Sequence, residues 1–144
     1  MQSDEFDLGR FLHAQASVYD RALAELESGQ KRTHWMWFIF PQIEGLGHSS
    51  TSHYYGIKSE EEARQYLNHP VLGARLVECA KTLLAVDGRS ASAVFGFPDD
   101  IKLKSSLTLF AAVAPPEAPF AQVLQKYFAG ERDEKTIELL AKLR

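Results

Sequence analysis

Apolar residues in this chain return at every third or fourth position, and that spacing limits what it can fold into. In HPVLGARLVECAKTLLAV, Leu72, Leu76, Cys79, Leu83 and Val86 share one face of a helix that begins near Pro70 and stops at Asp87 and Gly88. FDLGRFLHAQ puts Leu8, Phe11 and Leu12 on one face, with Asp7 as the expected cap. ASVYDRALAELESG does the same with Val18, Leu23 and Leu26 and ends at Gly29. Ser59 and Glu62 form a capping box ahead of SEEEARQYLN, whose acidic first turn complements the helix dipole. Ser90 caps a brief ASAVFG turn, and PDDIKLKSSLTLFAAV directs Ile101, Leu103, Leu107 and Phe110 inward. APPEAP breaks the chain before APFAQVLQKYFAG and DEKTIELLAKL, the latter capped by Asp133. No alternating run is long enough for a sheet, and no repeat or low-complexity linker divides the sequence. The expectation is an all-α, single compact multihelical domain of about seven helices spanning residues 1–144.

HWMWFIF departs from this pattern. It is apolar on every side, too short for a long helix, and limited by Pro41. A short buried central helix fits its helical surroundings; a buried strand is the rival, because periodicity does not separate the two in so short a run.

A chain of 144 residues is the size of one domain, and its 45% hydrophobic and 24% charged content is that of a globular protein. No segment approaches the ~20 apolar residues of a membrane helix. MQSDEFDLGR is acidic and lacks the pattern of a secretory signal, and neither end carries a lipidation motif, so a cytoplasmic protein without a membrane partner is expected. Cys79, the one cysteine, lies among helix-spaced leucines and reads as an inert buried thiol. A net charge of -3 lacks the electrostatic footprint of general nucleic-acid binding.

HWMWFIFPQ followed by GLG, then HPVLGARL, then DDIKLKSSLTLF, occur in the order seen in a small bacterial family of unknown function whose members often carry the label "calpastatin". The likeness runs from FDLGRFLHAQ through DEKTIELL, and it resembles the mycobacterial conserved hypothetical proteins. The resemblance implies a compact multihelical fold with a short buried central helix, and no activity. Protease inhibition does not follow from the label: calpain inhibitors are extended, disordered chains, whereas this sequence is patterned to bury a core.

Two donor-rich segments adjoin the apolar centre. In IEGLGHSSTSHYYG, Gly45 and Gly47 can turn successive amides toward one anion, and Ser49, Ser50, Thr51 and Ser52 add hydroxyls. The bland alternative is a turn leading away from the buried helix, with Ser and Thr capping nearby backbone. Tyr54 and Tyr55 can close a pocket with their rings. DDIKLKSS gathers Asp99, Asp100, Lys102, Lys104, Ser105 and Ser106 at a helix start. The carboxylates are placed to cap it; alternatively Lys102, Ser105 or Ser106 meets the glycine segment across a cleft and supplies charge. Trp35, Trp37, Phe38 and Phe40 read as core, a reading compatible with one ring lining a pocket. His34, His48, His53 and His69 match no metal-ligand spacing, so no metal or cofactor is expected. His34 reads as a core-edge imidazole or a proton-transfer group working with Asp99 or Asp100. Three functional classes follow. The first binds an anionic, phosphate- or nucleotide-like small molecule at His34, Gly45, Gly47, Ser49, Ser50, Tyr55, Asp100, Lys102, Ser105 and Ser106. The second is an interaction or homo-oligomerisation module using the apolar face of VLQKYFAGERDEKTIELLAKLR. The third is an enzyme.

Overall fold

In the computed structural model, which describes residues 4–143, ten helices follow one another. They are α1 (Gly9–Gln15), α2 (Tyr19–Ser28), α3 (Met36–Ile39), α4 (Ser50–Tyr55), α5 (Glu60–Asn68), α6 (Leu72–Ala85), α7 (Ala91–Phe95), α8 (Asp99–Val113), α9 (Phe120–Phe128) and α10 (Glu134–Lys142). The all-α expectation is met. The count exceeds about seven because short pieces close their own hydrogen bonds: α4, expected as loop, is capped by Ser49, and α7, expected as a turn, by Ser90. The one strand-like pairing among the described residues is an isolated parallel bridge between Ile43 and Ile57.

The HWMWFIF segment is helical and interior. Trp35, Met36, Ile39 and Phe40 are all buried, and Trp35 packs against Phe40 and Phe95 at 6.4 and 6.3 Å between ring centroids. A second chain of rings, Phe11, Tyr66, Phe110 and Phe120, joins α1, α5, α8 and α9 at centroid spacings of 5.0 to 6.0 Å. All four rings are fully buried, the condition in which aromatic side chains contribute most to a core.

Buried charge fixes the remaining joints. The Arg10 guanidinium pairs with Glu62 at 2.7 Å and donates to the carbonyls of Phe6, Asp7, Tyr54 and Gly56, tying α1 to α4 and α5. Glu62 therefore does more than the capping box required. Ser59 accepts from the Glu62 amide at 3.0 Å, while the Glu62 carboxylate accepts from the Lys58 amide, one residue earlier than a standard box.

Two local expectations change. Asp7 does not cap α1: it sits at φ 53, and the Asp4 carboxylate accepts from the Leu8 and Gly9 amides instead. A carboxylate reaching forward from before the turn bonds the free amides that Asp7, held in a left-handed conformation, leaves unmet. Ile101 is half exposed rather than inward, because the first turn of α8 overhangs a cleft instead of the core.

Candidate functional site

Immediately after α3, Pro41 ends the helix and Gln42 to Glu44 run extended beside Gly56 and Ile57. The Ile57 amide donates to the Gln42 carbonyl and the Glu44 amide to the Ile57 carbonyl, both at 2.8 Å. These two bonds close residues 44–56 into a compact loop carrying α4, and Arg10 fastens its far end. The first turn of α8 lies opposite. Between them opens a cleft of about 230 Å³, walled by Trp37, Ile43, Leu46, Pro98 and Ile101, with Gln42, Ser52, Tyr55, Lys102, Ser105 and Asp133 as its polar groups. Asp133 arrives from the start of α10, held there because its amide donates to the Thr108 hydroxyl of α8 at 2.9 Å.

Charge in the cleft centres on Lys102. Its ammonium stands 4.2 Å from the centre of the Trp37 ring and 3.6 Å from Asp99, whose other oxygen is taken by buried Lys31 at 2.8 Å. Two cations thus share one carboxylate. Asp133 contributes the opposing charge, though one of its oxygens is engaged by the Thr136 amide and hydroxyl at the start of α10. Gln42 is 8% exposed and its amide nitrogen has no hydrogen-bond partner, an unusual state for a buried donor. Burial, then neighbouring Tyr54, pushes the Tyr55 phenol up, so it stays a neutral hydroxyl at physiological pH.

Of the ten candidate residues, Gly47, Tyr55, Lys102 and Ser105 come together here. The others do not line the cleft. His34 is exposed ahead of Trp35, in a turn shaped by Glu25 rather than by a ligand. Ser49 is spent as the α4 cap, accepting from the Ser52 amide at 3.1 Å, and Ser50 faces solvent as the first residue of that helix. Gly45, at φ 106, is exposed and packs near Leu139. Asp100 folds back onto the Ile101 amide instead of the cleft, and Ser106 is turned fully into the core. Gly47 has no left-handed backbone. It is needed for close approach, because a Cβ there would lie 2.9 Å from the Ser52 hydroxyl. Of the two glycines only Gly47 lines the cleft, while Gly45 carries the positive φ outside it.

Gln42 and Asp133 were not among the candidates. A polar residue directly after an all-apolar helix was the available signal for Gln42; Asp133 had none, since its capping role fully accounts for it in sequence. His53 meets Glu44 at 2.5 Å on a different, exposed face. Among the described residues no group of three or more His, Cys, Asp or Glu side chains could hold a metal ion, and no helix is long and apolar enough to cross a membrane.

Comparison with known proteins brings in a family model described as a protein of unknown function (DUF1810), which matches residues 5–140. The chain belongs to this family. Among solved structures, the DUF1810 chain is similar to the crystal structure of the conserved hypothetical protein Rv1873 from Mycobacterium tuberculosis. The two are 51% identical over 96% of this chain and 99% of that one, with a TM-score of 0.94. No curated protein matches it. The multihelical fold implied by HWMWFIFPQ, HPVLGARL and DDIKLKSSLTLF is thus shared with a mycobacterial conserved hypothetical protein, and neither comparison carries an activity.

Proposed function

We propose that this protein binds a small anionic molecule in the cleft between the loop closed by Gln42 and Ile57 and the first turn of α8. The observation that carries the reading is the convergence of a shared-carboxylate ammonium, Lys102, with an unpartnered buried amide, Gln42, in a cleft whose remaining walls include Trp37, Ile43, Leu46, Pro98 and Ile101. Concave apolar surfaces with a few convergent polar groups are where small ligands bind. The ammonium supplies the attraction and the Trp37 ring holds it in place, a contact of about 0.5–1 kcal/mol at partly exposed sites. Thermal-shift measurements with carboxylates, sugar phosphates and nucleotides, repeated on Lys102→Ala, test the reading. At least one anion raises the melting temperature of the wild type and loses most of that effect in the variant. Stabilisation by none of them, or an effect that the substitution leaves untouched, defeats it.

A second reading, an interaction or self-association module, is favoured by one observation: Phe97 is 79% exposed. Large aromatic residues at such exposure are typical of contact anchors. It predicts a molar mass above that of one chain as concentration rises.

A further inference from the structure

Resting on the anion-binding reading, the geometry points to a narrower ligand class: a singly charged carboxylate with a branched or cyclic apolar body and one neutral oxygen acceptor, such as a small 2-oxo acid. Three observations carry it. The first concerns charge. Lys102 is the only cation lining the cleft among the described residues, it shares Asp99 with Lys31, and Asp133 also lines the cleft. A phosphate of charge near minus two is ordinarily held by several cationic or amide donors, often a forked guanidinium. Among the described residues no arginine lines this cleft, and of the two glycines only Gly47 does. A single ammonium, already paired with Asp99 in a cleft that Asp133 also lines, suits a ligand of one negative charge better than one of two.

Shape supplies the second observation. The cleft's 230 Å³ falls below the ~300–1,000 Å³ of sites for drug-sized ligands, a size that suits a compact molecule better than a nucleotide. Its walls of Ile43, Leu46, Pro98 and Ile101 suit a compact hydrocarbon body, and the Trp37 face beside them is already covered by the Lys102 ammonium.

The third is the Gln42 nitrogen. A donor buried without a partner is costly unless a ligand completes it, and its natural complement is a neutral carbonyl or hydroxyl oxygen. A carboxylate at Lys102 with a carbonyl at Gln42 uses the cleft's one cation and its unpartnered amide, and leaves the apolar part of the ligand for Ile43, Leu46, Pro98 and Ile101.

Isothermal titration with 4-methyl-2-oxopentanoate, its methyl ester, 4-methylpentanoate, inorganic phosphate and adenosine monophosphate tests the inference on the full chain. The oxo acid is expected to bind wild type at least roughly tenfold more tightly than the neutral ester, and Lys102→Met to remove that difference. Gln42→Leu is expected to weaken the oxo acid severalfold while leaving 4-methylpentanoate unchanged, and to unfold at no lower temperature than wild type, since it deletes an unmet donor. A heat-unfolding midpoint that stays put keeps the binding result interpretable. If phosphate or the nucleotide binds through Lys102 more tightly than the oxo acid, the ligand class is wrong and the anion-binding reading stands. If the oxo acid and 4-methylpentanoate bind wild type equally, Gln42 has no part in recognition and the inference falls. If no anion in the set responds to Lys102→Met, both fall.

Discussion

Glu25 shows how a single carboxylate shapes the approach to the site. It is buried on α2 and accepts from the Arg32 and Thr33 amides, the Thr33 hydroxyl and the Trp35 indole at 2.6 to 3.0 Å. These bonds bend the chain between α2 and α3 and seat Trp35 in the core. Burial alone would raise the Glu25 carboxyl; the hydrogen bonds, led by Thr33, outweigh it and lower the carboxyl to about 2. Because the folded value lies below the unfolded one, the ionised group stabilises the fold above the ordinary glutamate range, and that stabilisation disappears as pH falls toward 2. Glu25→Gln is expected to cost about 2 kcal/mol at neutral pH, and the gap from wild type should narrow between about pH 4.5 and 2 in urea titrations. A gap independent of pH would mean that ionisation of Glu25 is not what holds the turn. Cys79 is the contrary case: burial, against the partial relief of the Tyr19 hydroxyl, pushes its thiol up to about 12, as an inert core residue requires.

At the scale of elements, caps and close approaches set where helices meet. Ser49, Ser59, Ser90 and Asp133 each accept from the amide three residues on; Ser59 and Asp133 were legible as helix starts and Ser90 as a turn cap, whereas the α4 start at Ser49 was hidden in an expected loop. The α5 to α6 corner depends on something no periodicity reveals. A Cβ on Gly73 would lie 1.8 Å from the Leu67 carbonyl oxygen, so the helices turn on each other with backbone against backbone. Gly73→Ala is expected to lie at or above the top of the ~1–3 kcal/mol range of overpacking, and to lower the midpoint of thermal unfolding by roughly 10 °C. An unchanged midpoint would show that the corner opens without cost. The end of α6 is held differently: the Lys126 ammonium of α9 donates to the carbonyls of Leu83, Leu84 and Val86, and the Tyr127 hydroxyl to that of Leu83. A cation on the free carbonyls of a helix end satisfies them and complements the dipole.

Across the whole molecule, one contiguous core runs from Leu8 to Leu140, and the cleft lies at its edge rather than between separate bodies. Among the large apolar side chains left exposed, which include Tyr54, Ile101, Ile137 and Leu143, Phe97 is the most exposed. If self-association uses Phe97, light scattering across a concentration series gives a mass above one chain for wild type and that of one chain for Phe97→Ser. A single-chain mass for both removes this surface as a dimer contact. By itself the sequence determined the helical class, the interior place of HWMWFIF, most helix starts and the inert thiol. Each of these follows from short-range spacing or from the chemistry of a residue with its near neighbours. The cleft was another matter. Lys102, Ser105, Gly47 and Tyr55 were visible as candidates, yet so were His34, Ser50 and Asp100, which face elsewhere, and Ser106, which is sealed in the core. Which side chains converge depends on the rotation of α8 about its axis, on the two backbone bonds between Gln42, Glu44 and Ile57, and on the grip of Arg10 across α1, α4 and α5. Those contacts join residues dozens of positions apart, and only the packed core fixes them.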